Sequence, residues 1–256
     1  TVLGALTSLK YCDLSDNNFV GTLPTELGLW TNLEILFFNF NNLTGSLPTE
    51  LGTLTSLNGF VATENDLVGS IPTEFGLLTT LEVLELAANS LSGTLPTEFG
   101  LMTTLTSLDM INNTLSGTLP TELGQLTKLT RLYLESNSLG GTLPTELGRL
   151  SALRELSVRT NVVSGTFPTE LGKLTKLEEF YAYSNNVTGT VPTEFGQLLA
   201  LEFLDISMNL LNGTLPTELS QLSALSYLYV GDNNFTGTLP NEYGRLVALK
   251  TLSVGQ

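Results

Sequence analysis

Proline recurs every 24 residues, at Pro24, Pro48, Pro72, Pro96, Pro120, Pro144, Pro168, Pro192, Pro216 and Pro240, and nowhere else. Proline fixes φ near one value and donates no backbone hydrogen bond. It keeps so strict a period only if the chain returns to one conformation each time. A period of about 20–50 residues marks stacked units, each burying its apolar side against the next and none stable alone. The period holds through residues 1–256 with no linker or low-complexity stretch. We therefore read one solenoid domain, 1–256, of ten 24-residue units with partial units at its ends.

The unit has the form LxxLxxLxLxxNxLxGTLPTELGxLT, and most slots carry a structural reason. Apolar residues alternate in LxLxxN, as Leu132 and Leu134 do around Tyr133, so a short strand points them inward. Leu123, Leu126 and Leu129 are expected to pack beneath that strand. Asparagine stands seven residues before every proline, from Asn17 to Asn233. A buried amide there can bridge the backbones of adjacent coils where the chain leaves the strand. Nineteen of the 24 glycines fill two slots, those of Gly21 and Gly28, with Ser220 the exception in the second. Both are expected at tight corner turns. Trp30 and Met102 replace a core leucine, and Cys12 replaces a strand leucine as a small buried hydrophobe.

Composition removes several functions. There is no histidine and one cysteine, so imidazole acid–base chemistry, the usual zinc sites and disulfide frameworks are absent. No nucleophile–base constellation can be assembled, and we expect no enzyme and no cofactor. No apolar run reaches the roughly 18 residues that a membrane span needs, so this segment is expected not to insert. A net charge of −15 argues against nucleic acid as a partner. Residues 1–127 hold 13 acids and one base, whereas residues 128–256 hold 12 acids and nine bases. A cationic partner would be steered towards the first half.

These repeats make the chain resemble the leucine-rich repeat family, in its plant-type 24-residue extracellular class. The LxGxLP segment after the asparagine marks that class, and the PTELG and PTEFG strings resemble diatom and microalgal repeats most. The resemblance implies a superhelical α/β arc with a parallel β-sheet on its concave face, a short second sheet, and 3-10 or short helical turns on the convex face. Such ectodomains usually carry cysteine-pair caps. The chain shows none, so an excerpt of a longer protein is expected. The resemblance also implies receptor-like ectodomains, secreted inhibitors of cell-wall hydrolases such as polygalacturonase inhibitors, and ice-binding or adhesive proteins. Our leading expectation is a non-catalytic extracellular recognition module that binds a peptide or protein.

The scaffold leaves the strand positions between the leucines undictated. They hold six of the seven tyrosines, including Tyr133, Tyr181, Tyr183, Tyr227 and Tyr229, with Phe203 among them. The last four and Tyr181 come from three consecutive strands about 4.8 Å apart and are expected to form one contact patch. Ile35, Phe37, Phe40 and Val61 predict a smaller one. Arg131 and Arg159 lie between the two, where they either accept a carboxylate ligand or are neutralised by Glu135, Glu155 and Glu179. Sequons at Asn42, Asn112, Asn186, Asn212 and Asn234 favour a secreted glycoprotein. A glycan on Asn112 would obstruct the middle of the arc. Glutamates Glu26 through Glu242 form one outer row expected to be solvated, and hydroxyls in the slots of Thr22 and Thr25 form two more.

Overall fold

The structure, a computed structural model, describes residues 2–255. Each coil contributes one three-residue strand to an eleven-stranded parallel sheet, in chain order from Tyr11–Asp13 to Thr251–Ser253. Every residue pairs with the one 24 positions on, as Tyr11 does with Ile35, Leu132 with Leu156 and Tyr229 with Ser253. Strict repetition thus converts sequence slots into straight rows of side chains along the sheet. In one coil Leu123, Leu126, Leu129, Leu132, Leu134 and Leu139 are wholly buried. Each contributes about 1.5–3 kcal/mol relative to exposure, but only because the neighbouring coils supply the other walls of its site.

The opposite side of each coil is a five-residue 3-10 turn such as Thr25–Leu29, and no α-helix occurs among the described residues. Pro24 sits just before that turn with extended backbone (φ −75°, ψ 141°), and its carbonyl accepts the Leu27 amide at 3.1 Å. The expected second sheet is present as six short strands from Val20–Thr22 to Ser138–Gly140 and four more from Ser164–Gly165 to Asn234–Phe235. The double glycine Gly140–Gly141 marks the seam. Two backbone bonds still cross it, from Val162 to Leu139 and from Ser164 to Gly141.

The asparagine ladder does what its spacing predicts. The Asn113 amide donates to the Leu86, Met110 and Ile111 carbonyls, and its oxygen accepts the Leu91 amide at 2.9 Å. Nine further asparagines occupy the same slot, and each from Asn41 onward bridges adjacent coils in this way. The two glycine slots differ in purpose. Gly21 and its equivalents have positive φ, 92° at Gly21 itself, which a turn without Cβ accommodates. Gly28 has no such φ. A Cβ there would lie 2.5 Å from the Glu50 carbonyl of the next coil, so this glycine serves close coil packing rather than a corner turn.

Candidate functional site

Four positions per coil lie on the open face of the long sheet, those of residues 131, 133, 135 and 136, although some of their occupants, among them Ser107, Glu135 and Ser157, are buried by their neighbours. The fourth always lies in the left-handed region, with φ between 51° at Met208 and 58° at Glu64. Its occupants include Asp16, Phe40, Asn112 and Thr160, a mixture that hides the turn from sequence inspection. That turn lets the chain leave the strand while Asn113 and its equivalents stay pointed inward.

Towards the C-terminal side, the expected aromatic patch assembles around Phe203. Its ring lies 4.7 Å from Tyr181 and 5.4 Å from both Tyr227 and Tyr229, at interplanar angles of 31–37°. The rings form a leaning stack rather than a flat pavement. Cations sit at its two ends: the Arg159 guanidinium is 5.7 Å from the Tyr181 ring and 5.5 Å from Tyr183, and the Lys250 ammonium is 5.7 Å from Tyr227. Tyr183 therefore joins the patch through Arg159 and not through ring stacking. Behind the stack, core residues Phe167, Phe180 and Phe195 pack with centroids 5.6–6.0 Å apart. Rigid backing of this kind lowers the ordering cost of any contact made on the face.

The middle of the face is polar. Glu135 is buried, pairs with Arg159 at 2.5 Å and accepts the Ser157 hydroxyl. Tyr133 donates to Glu155, and Tyr181 donates to Glu179 at 2.9 Å. Burial, above all, then pushes the Tyr181 phenol well above its ordinary range. Tyr133, Glu135, Ser157, Arg159 and Tyr181 line a shallow cavity of about 250 Å³ together with Ile111. Of the two arginines, Arg159 is thus neutralised within the chain, while Arg131 makes no ion pair among the described residues.

At the other end, Tyr11 meets Phe37 edge-on at 6.2 Å. Ile35 and Phe37 lean over Gly59, where an added Cβ would lie 3.1 Å from Ile35. Val61 is paired with Phe37 by strand register. Phe40 is 51% exposed on its left-handed turn and makes no ring contact among the described residues. The structure therefore brings Ile35, Phe37 and Val61 together, adds Tyr11, and leaves Phe40 apart.

Charge on the face was harder to read from the sequence. The solvent-facing positions hold ten acids, among them Asp13, Asp16, Glu64, Glu85, Asp109 and Asp232, against two bases, Arg131 and Arg159. Of the other seven bases of the second half, Lys250 reaches the Tyr227 end of the stack, and the rest of the face stays acidic. Asp109 is the most perturbed carboxyl: burial raises it to about 6, helped by Glu85 and Glu135 and opposed by the Ile111 amide and Arg131. Burial also raises Asp205, which lies between Tyr181 and Tyr229 in register.

All five sequon asparagines are exposed. The hydroxyls of the Thr22 row, Thr22 through Thr238, are exposed and make no hydrogen bond within the chain among the described residues. In the Thr25 row, Thr49 and most of its equivalents donate to the following glutamate.

Family models fit this geometry. The one described as leucine-rich repeat region matches residues 86–189, and the one described as leucine rich repeat matches residues 8–30, 32–54, 200–222 and 224–246. The chain belongs to the leucine-rich repeat family. No curated protein sequence matches it. Among solved structures, a TDR receptor is 31% identical with a TM-score of 0.89, over 98% of this chain and 48% of that one. The leucine-rich repeat ectodomain of the Arabidopsis receptor kinase HAESA, in complex with an IDA peptide hormone ligand, is 29% identical with a TM-score of 0.79, over 99% and 47%. A plant ice-binding protein is 26% identical with a TM-score of 0.76, over 95% and 80%. This leucine-rich repeat chain thus spans about half the length of the receptor chains it matches.

Proposed function

We propose that this leucine-rich repeat chain is a non-catalytic recognition module of an extracellular, receptor-like or cell-surface protein, and that it holds a peptide or protein on its concave sheet. The observation that carries this reading is the stack of Tyr181, Phe203, Tyr227 and Tyr229, half-exposed on rigid strands over an aromatic core. Large rings held in place make strong contacts at low entropic cost. Likeness to a receptor ectodomain that holds a peptide hormone supports the same reading. Five exposed sequons support an extracellular, glycosylated chain. Ile35 and Phe37 form a second, smaller contact area.

The test is selection from a displayed pool of random dodecapeptides. Peptides retained by the wild-type chain lose binding to Tyr181→Ala/Tyr229→Ala, while the melting temperature moves by no more than about 2 °C, as fits half-exposed positions. Equal retention by the double variant removes the patch from the proposal.

A second reading rests on the Thr22 row. Ten exposed hydroxyls, unbonded within the chain and about 4.8 Å apart, offer a regular flat array, and the plant ice-binding neighbour covers most of the chain. It predicts thermal hysteresis that disappears when Thr94, Thr118 and Thr142 are replaced by tyrosine. No hysteresis in the wild-type chain removes it.

A further inference from the structure

The concave face carries a charge pattern that the aromatic stack alone does not explain. Glu85 and Asp109 are register partners on adjacent strands, and so are Glu155 and Glu179. Like charges placed opposite one another destabilise a sheet. Burial, first of all, raises the proton affinity of Asp109 and Glu155; Glu85 adds to it on Asp109 and Glu179 on Glu155, while Arg131 opposes it in both. Arg131 stands on the strand between the two pairs without an ion pair among the described residues, so neither pair is fully compensated from within. A visiting cation over either pair relieves a repulsion that the free chain retains.

Geometry sets the spacing of such cations. Measured across the strands, the two carboxylate pairs are three intervals apart, about 14 Å, which four residues of extended peptide span. The first pair also lies two residues further along its strands, about 7 Å, an offset within reach of long Lys or Arg side chains. From the midpoint of the second pair to the junction of Phe203 with Tyr227 and Tyr229, on the far side of the Phe203 ring, is two intervals, about 10 Å, or three residues. All these groups lie in the first two solvent-facing positions of their strands, away from Asn112, which occupies the fourth. We propose that the partner is an extended cationic peptide crossing the strands, with two Lys or Arg side chains four residues apart over Glu85/Asp109 and Glu155/Glu179, and an apolar or aromatic residue three further on against the Phe203 stack. The residue midway between the cations faces Arg131. This inference rests on the docking role given above to the concave sheet. Charge complementarity selects the occupant: an acidic peptide meets ten carboxylates, whereas a basic one meets two arginines, one of them already paired, and Lys250 only at the Tyr227 end of the stack.

The probe is a fluorescein-labelled nine-residue Gly/Ser peptide with Lys at positions 1 and 5 and Phe at position 8, titrated against the chain by fluorescence anisotropy. It binds at least tenfold more tightly than versions with both Lys replaced by Gln, with both replaced by Glu, or with the second Lys moved to position 3. Binding weakens with salt. Asp109→Asn with Glu179→Gln lowers affinity about tenfold; each substitution keeps an acceptor for the Ile111 amide or the Tyr181 hydroxyl. Glu122→Gln/Glu146→Gln/Glu170→Gln removes three charges from the opposite side and leaves affinity within twofold. Equal binding of the Lys and Gln peptides, or equal loss in the outer triple variant, overturns the inference while the docking role stands. If the random pool yields binders without basic residues and the Lys peptide fails, the inference alone falls. If neither the pool nor the probe is retained, the docking role falls with it.

Discussion

Asp109 shows how one residue couples the sheet face to pH. Its folded-state value of about 6 lies above the ordinary value of 3.8, chiefly because burial disfavours the anion. Between those two values the folded chain binds more protons at this site than the unfolded chain does. Its contribution to stability therefore falls as pH rises through that window and stays low above it. Asp109→Asn removes the ionisation but keeps a side-chain oxygen to accept the Ile111 amide, which donates to Asp109 at 2.9 Å. The variant is expected to melt about 2–4 °C higher than wild type at pH 7.5, and the two should coincide below pH 4. A variant that melts lower at pH 7.5 would show the Asp109 anion to be stabilising. Calorimetry across that range checks both arms.

The repeating coil was legible because each scaffold slot is written ten times. Leucine alternation located the strands, proline located the outer turn, and the asparagine at a fixed offset located the bridge. The amide bonds make the bridge testable. Asn113→Ala leaves the Leu91 amide without its acceptor and removes one of the donors to the Leu86, Met110 and Ile111 carbonyls, which keep the Asn89 amide, the Asn137 amide and the Ala88 N–H, at a cost of about 1–3 kcal/mol. Chemical denaturation with an unchanged m-value would confirm a local loss, and a cost under 1 kcal/mol would refute the ladder's importance. Other features escaped the sequence for physical reasons. The left-handed turn accepts residues as different as Phe40, Ala88 and Thr160, so no residue type announces it. The Gly28 slot reads like a turn glycine until the Glu50 carbonyl is seen beside it. The pairing of Arg159 with Glu135 spans 24 residues, and three carboxylates were equally available on paper. The rows of surface side chains could be listed from the sequence, but their leaning stack and buried carboxylates required the sheet itself.

At the scale of the whole molecule, distance along the concave face is counted in coils. Every backbone and amide contact reaches only to the adjacent coil, so one complete unit can be removed without leaving an unmatched partner. Deleting residues 113–136 joins Asn112 to Asn137, the equivalent of Asn113, and brings the two carboxylate pairs one strand interval closer. The shortened chain is expected to melt cooperatively. It should prefer a probe with Lys at positions 1 and 4 over one with Lys at 1 and 5, reversing the wild-type order. An unchanged preference would show that the pairs do not set the spacing.

The asparagine ladder has one more consequence, which appears under load. Because each rung ties a coil only to its immediate neighbour, tension applied at the chain ends has no long-range fastening to break at once. The solenoid peels from an end, rung after rung, and each released coil adds the same slack, about 80 Å of extended chain. A chain of this build behaves as a mechanical ratchet of equal steps: it lengthens under a pull in uniform increments and leaves the coils still stacked, with their surface rows, unaltered.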